Sequence, residues 1–142
     1  MSTVASILSR KNRPAVIVSP ESTVISALQI MAEKNIGSVI VMEGDKYLGI
    51  MTERDYSRKV VLKGKDSTTA KVMDIMSTDL PSVKPGDTID SCMQLMTNNN
   101  VRYMPVFDNN RLAGIISMSD VVKETILAQK ETINHLQSYI NS

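Results

Sequence analysis

An α+β fold made from two copies of one β-α-β-β-α unit is what this 142-residue sequence predicts. Shifted by 65 residues, Val18–Asp55 falls on Val83–Asp120 without a gap. The shift matches Pro20 with Pro85, Thr23 with Thr88, Gln29 with Gln94, Met31 with Met96 and Asn35 with Asn100. Gly49-Ile50 falls on Gly114-Ile115, and Asp55 on Asp120. The second observation is the order of periodicities inside a copy: a short β-branched run, a helical pattern, then two apolar runs around a turn.

The lead-in "ASIL" (5–8) aligns with "AKVM" (70–73), so a short helical segment precedes each copy. "AVIV" (15–18), ended by Ser19-Pro20, reads as the first strand. Ser22 or Thr23 caps the next segment, where Val24, Ala27, Leu28 and Met31 recur at helical spacing. Asn35 and Gly37 end that helix. "SVIVM" (38–42) and "YLGIM" (47–51) flank Glu43-Gly44-Asp45-Lys46, a hairpin signal, and "DNNR" (108–111) takes its place in the second copy. A second helix starts after Thr52.

A unit of about 60 residues is marginal alone. The two small three-stranded sheets are therefore expected to bury their apolar faces against one another, with pseudo-twofold symmetry and two equivalent clefts. The expected division is 1–65 for the first unit with its lead-in helix, 66–125 for the second, and 126–142 for a C-terminal helix. In that last part Val122, Ile126, Gln129, Ile133, Leu136 and Ile140 alternate steps of four and three. This is a heptad seam with isoleucine at the a positions. Lys123, Glu124, Lys130 and Glu131 sit off the seam, as a solvated face requires. Self-association into a homodimer is expected, the alternative being a stripe folded back onto its own domain.

Composition narrows the function. A net charge of +1 gives no global attraction to nucleic acid or an acidic membrane. The nearest basic run, "RKVVLKGK" (58–65), is broken by apolar residues and reads as a helix end and linker. One Phe, four Tyr and no Trp offer no platform for single-stranded nucleic acid. The single cysteine, Cys92, excludes an intrachain disulfide and a cysteine metal cluster, and its apolar neighbours place it in the core. No apolar run is long enough to span a membrane and no signal-peptide pattern occurs, so the cytoplasm is expected. The one histidine, His135, lies in a polar segment, and no hydrolase, zinc-protease or phosphate-loop motif is present. Neither catalysis nor a metal is expected.

The chemistry concentrates in "GIMTERD" (49–55), repeated as "GIISMSD" (114–120). A hydroxyl followed three residues later by an acid is a capping box, and Thr52-Asp55 and Ser117-Asp120 both have that spacing. The box is usually described with Glu or Gln, whereas both copies use Asp. Each copy also has a glycine three residues before the hydroxyl, where a missing side chain lets another group approach the backbone. A helix start fed by a strand offers free N–H groups and a positive dipole end to phosphate. An aspartate there can accept both hydroxyls of a ribose. Cap and ligand site are compatible roles.

Tandem strand-helix-strand-strand-helix units, each ending in Gly-h-h-Thr/Ser-x-x-Asp (h apolar), resemble a pair of CBS domains over nearly the whole chain. The stretches "TERDY" and Arg102-Tyr103-Met104-Pro105-Val106 are similar to those of small stand-alone bacterial CBS-pair proteins. The resemblance implies a non-catalytic regulatory module that binds an adenosine-containing ligand (AMP, ADP, ATP or NAD) between its units and signals to a protein effector. It implies ribose contacts for Asp55 and Asp120, and ribose or phosphate contacts for Thr52 and Ser117. Ile17 and Ser82, ending the first strands, and Ile36-Gly37 and Val101-Arg102, opening the second, would line the adenine and phosphate regions. Asn12 and Ser77 precede the first strands as further candidates, and Arg54 and Arg102 are the expected phosphate partners. Tyr103 stands where the family often has histidine. Arg54 is matched by Ser119 and Arg102 by Gly37, so the two sites are not equivalent. The alternative reading is a ligand-independent interaction module whose helix caps only look like sites.

Overall fold

A computed structural model describes residues 2–11 and 13–141; the candidate Asn12 lies outside the described residues. In chain order the elements are α1 (Val4–Arg10), β1 (Ile17–Val18), α2 (Val24–Lys34), β2 (Ser38–Glu43), β3 (Lys46–Thr52) and α3 (Glu53–Tyr56). A π-helical turn (Ser57–Val61) continues α3, and α4 (Val72–Ile75), α5 (Ile89–Asn99), β4 (Tyr103–Asp108), β5 (Arg111–Ser117) and α6 (Met118–Asn141) follow. They form two compact units, one of residues 14–80 and the other of 1–13 with 81–142.

In the 14–80 unit the sheet order is β1-β2-β3. β1 runs parallel to β2, pairing Ile17 with Ile40, and β2 pairs antiparallel with β3 from Ser38 opposite Thr52 to Glu43 opposite Lys46. The register slips between Val41, opposite Gly49, and Met42, opposite Tyr47, so that Leu48 is the extra residue of a bulge in β3 beside Gly49. Thr23 caps α2 by accepting from the Ser26 N–H, and the helix stops where Asn35 turns left-handed at φ 52°. Val24, Ala27 and Met31 of α2 pack with Val39, Val41 and Met51 of the sheet. Val72 and Ile75 of α4 close this core.

The unit of 1–13 and 81–142 repeats the plan with differences. Thr88 caps α5 and Asn100 ends it at φ 53°. Asn109 and Asn110 both take positive φ at the β4–β5 hairpin, as a type I′ turn requires. The expected three-stranded sheet is here two strands and a single rung at Val83, which bridges to Val106. Pro81 and Pro85 flank that rung without N–H groups to pair, and the Lys84 N–H turns to the Asp87 carboxylate at 2.8 Å.

The lead-in helices are exchanged relative to the repeats. α1, which precedes the first repeat, docks with the second: the Val4 N–H donates to the Asp87 carbonyl and the Ala5 N–H to the Pro85 carbonyl, both at 2.9 Å. Its Val4 and Ile7 are buried among Ile89, Cys92, Met104 and Val121. In the same way α4 docks with the first repeat, the Val72 N–H reaching the Ser22 carbonyl at 2.8 Å. The compact units therefore divide near 13/14 and 80/81. The C-terminal helix is the unbroken continuation of α6 from Met118. Glu124, expected on its solvated face, is instead buried and paired with Arg10 of α1 at 3.0 Å. It shares a helix face with Val121, one turn earlier, and that face meets α1 and α5.

Candidate functional site

Both copies of the motif sit where a strand delivers the chain into a helix. At the end of β3, Thr52 keeps an extended backbone and its Oγ1 accepts from the Asp55 N–H at 3.1 Å. Asp55 Oδ2 returns the bond, accepting from the Thr52 N–H and from the Thr52 hydroxyl, each at 3.0 Å. After β5, Ser117 Oγ accepts from the Asp120 N–H at 3.1 Å, and Asp120 Oδ2 accepts from the Ser117 N–H at 2.8 Å. Aspartate thus completes a capping box with its shorter side chain. The next N–H in each helix is also claimed: Glu53 donates to the Gly37 carbonyl at 3.2 Å, and Met118 to the Arg102 carbonyl at 2.8 Å. Gly37 and Arg102 accordingly border the two helix starts through their backbones.

The surroundings of the two aspartates differ. Asp55 is 5% exposed, and its Oδ1 accepts from Ser77 Oγ at 2.8 Å while pairing with Lys59 Nζ at 3.0 Å. Lys59 is itself fixed, donating to the Ile75 carbonyl at 2.8 Å. Asp120 is half-buried and its Oδ2 pairs with Lys11 Nζ at 2.9 Å, the same ammonium donating to the Ile115 carbonyl. Among the described residues no donor occupies Asp120 Oδ1. Asp55 is thus engaged on both carboxylate oxygens.

Gly49 bears out the expectation of close approach. A Cβ there would stand 2.6 Å from the Ser77 carbonyl oxygen, which is pinned to the Ile50 N–H at 3.0 Å. At Gly114 the neighbour is the Leu8 side chain, 3.0 Å from where a Cβ would lie. In the first copy the glycine makes room for the Ser77 backbone, and so brings the Ser77 hydroxyl to Asp55.

The remaining candidates are distributed around these centres. Ile36 and Val101 are half-buried against their cores. Ile17 opens β1 rather than ending its strand and is 53% exposed; Ser82 and Arg102 are exposed, and Arg54 is half-buried. Sequence reasoning missed two cations, Lys59 and Lys11. Lys59 lies four residues after Asp55, a spacing that joins opposite charges on a helix and was a legible signal. Lys11 reaches Asp120 only because α1 docks with the second repeat.

The CBS-domain sequence pattern matches residues 4–61 and 72–126. The chain belongs to the CBS-domain family. A tandem CBS pair is a regulatory module, and the folds agree at close range. A putative signal-transduction protein with CBS domains from Burkholderia ambifaria MC40-6 is 43% identical with a TM-score of 0.85, over 90% of this chain and 96% of that one. The mitochondrial CBS domain-containing protein CBSX3 of Arabidopsis thaliana is 33% identical over 97% of this chain and 71% of that protein. Inosine-5'-monophosphate dehydrogenase of Methanocaldococcus jannaschii is 34% identical over 78% of this chain but only 22% of its own length, so a CBS pair also occurs inside a much longer enzyme. In this CBS pair no helix among the described residues is long and apolar enough to cross a membrane.

Proposed function

We propose that this CBS pair is a non-catalytic cytoplasmic sensor that binds an adenosine-containing nucleotide (AMP, ADP, ATP or NAD) and reports its occupancy to a protein effector. The observation that carries the reading is the start of α6, where a helix N-terminus, the Ser117 hydroxyl, the half-buried Asp120 carboxylate and the Lys11 ammonium stand together. Asp120 Oδ1 suits a ribose hydroxyl. Lys11 and the dipole end of a 24-residue helix suit phosphate. Arg102 is exposed beside this helix start and supplies a second cation.

A second reading, a ligand-independent interaction module, is favoured at the other copy by the saturated Asp55. To receive a ribose there, Asp55 would have to release Ser77 or Lys59. The α6 start is accordingly the primary site. Protein freed of nucleotide by unfolding and refolding should be melted with AMP, ADP, ATP and NAD, with GTP as the base control. A ligand at a hundredfold excess over its Kd raises stability by about 2.7 kcal/mol. Absence of a rise with every adenosine ligand would leave the interaction-module reading in possession.

A further inference from the structure

We infer that the turn from Arg58 to Lys65, which closes the π-helical segment, is a docking surface for an acidic segment of a protein partner. This rests on the proposed function only in taking its protein effector as the occupant, and it needs no bound nucleotide. Val61 is 54% and Leu62 77% exposed, two adjacent aliphatic residues in solvent. Under the 65-residue shift Leu62 falls on Leu127, which is half-buried in α6. The same residue at the matched position is covered in one copy and bare in the other.

The π turn is the cause. The Leu62 N–H reaches back to the Ser57 carbonyl at 3.0 Å, so this turn is wider than an α-helical one. Val60 stays buried, and the residues after it leave the core. α6 is unbroken from Met118 and keeps Leu127 on the side of the buried Glu124. The exposed pair is nevertheless held on an ordered backbone. Gly64 takes φ 67°, its N–H meets the Val61 carbonyl at 3.1 Å, and the Lys65 N–H meets the Val60 carbonyl at 2.9 Å. These are the two bonds of a Schellman motif. A surface fixed in this way gives up little freedom when it binds.

Charge identifies the occupant. Arg58, Lys63 and Lys65 are exposed around the pair, and among the described residues no carboxylate is paired with any of them. The Asp66 carboxylate, next in the chain, accepts instead from the Thr68 N–H at 2.9 Å and the Thr68 hydroxyl at 2.7 Å. An apolar centre within a charged rim is the anatomy of a small protein interface, and carboxylates complement this rim. A second copy seated by twofold symmetry would set the same cations against one another. Nucleic acid would find no aromatic side chain on this turn to stack on. The basic cluster is also smaller than the roughly four to eight free cations that hold an anionic membrane. The fitting occupant is a short segment whose aspartates or glutamates flank apolar residues.

Fluorescence anisotropy with a fluorescein-labelled peptide, Asp-Glu-Leu-Leu-Glu-Asp, tests this on the full-length protein. Nucleotide is absent throughout, so the outcome is separate from that of the melting screen. The wild type should bind the peptide, and a peptide with lysine in place of every acid should not bind. Val61→Ser/Leu62→Ser and Lys63→Glu/Lys65→Glu should each weaken binding about tenfold or more. Their urea midpoints should stay unchanged, because these side chains are exposed. Chemical-shift changes on adding the peptide should gather at residues 57–66. A wild type that does not bind, or binding retained by both double variants, overturns the surface. Two further results overturn the choice of occupant. One is attachment to phosphatidylserine vesicles that Val61→Ser/Leu62→Ser abolishes while the peptide goes unbound. The other is self-association by sedimentation that the same variant abolishes.

Discussion

Replacing each motif aspartate by alanine should separate its structural role from its binding role. Asp55→Ala removes the acceptor of a buried cap, costing about 1 kcal/mol. It also removes the charged acceptor of the 2.8 Å Ser77 bond in a buried setting, about 1.5–3 kcal/mol. The Lys59 pair is nearly half exposed on the lysine side and adds at most about 1 kcal/mol. The loss expected is about 3–4 kcal/mol. Asp120→Ala gives up a half-buried cap and one partly exposed ion pair with Lys11, about 1–2 kcal/mol in all. Urea titration measures both, a shift in midpoint at constant slope being a change in stability. Calorimetric titration with the nucleotide found by the melting screen should order the variants oppositely. Asp120→Ala should weaken affinity at least tenfold through loss of a charged acceptor, about 1.5–3 kcal/mol. A folded Asp55→Ala should keep affinity at the α6 site within a few-fold. Equal small stability losses would refute the idea that Ser77 and Lys59 saturate Asp55. Unchanged affinity in Asp120→Ala would refute the assignment of the ligand to that helix start.

Gly49→Ala should cost about 2–3 kcal/mol, because a Cβ 2.6 Å from a pinned backbone carbonyl forces strand and lead-in apart. Gly114→Ala meets only a leucine side chain that can turn, and its urea midpoint should move far less. Asn35→Ala places a Cβ-bearing residue without a local hydrogen-bonding side chain at φ 52°, and should lower stability by about 1 kcal/mol, with Asn35→Gly recovering it. Burial raises the Tyr47 phenol to about 12 and, with the charge of Asp87, the Cys92 thiol to about 11. Both groups hold their protons more tightly folded than unfolded. Their contribution is therefore full below about pH 9 and is lost as pH climbs through 11 and 12. A stability profile that stayed flat over that range would contradict it, and Tyr47→Phe should remove the upper part of the fall. Cys92 should resist a thiol reagent at pH 8 until urea unfolds the chain.

Much of the fold was legible because it rests on local chemistry. Thr23 and Thr88 cap, Asn35 and Asn100 turn left-handed, and the Asp108–Arg111 hairpin uses two asparagines at positive φ, as these residue types dictate. Met31, Met96 and Cys92 lie in cores because their spacing puts them on buried helix faces. The exchange of lead-in helices was not legible. A repeat gives the same apolar pattern whether a segment packs on its own copy or on the next, so the periodicity of Val4 and Ile7 cannot name their core. The missing strand before Val83 was legible in part, since two prolines four residues apart leave little to pair. Burial of Glu124 depended on Arg10, and that partnership exists only once α1 is placed.

The asymmetry of the two helix starts follows from substitutions at matched positions. Lys59 falls on Glu124 under the 65-residue shift, and Lys11 on Met76. In the first copy the cation for the aspartate comes from the turn after the motif, and the lead-in contributes the neutral Ser77 hydroxyl. In the second copy the helix position has become acidic and turns to Arg10, while the lead-in supplies Lys11 for Asp120. A cation inside the turn after the motif, bonded also to the Ile75 carbonyl, can leave Asp55 only by unpicking a packed segment. One at the end of a lead-in, itself a third exposed, can swing between a carboxylate and an incoming phosphate without moving a helix. The duplicated motif therefore encodes one fixed cap and one adjustable cap. Their difference is written in the charges around the motif rather than in the motif itself.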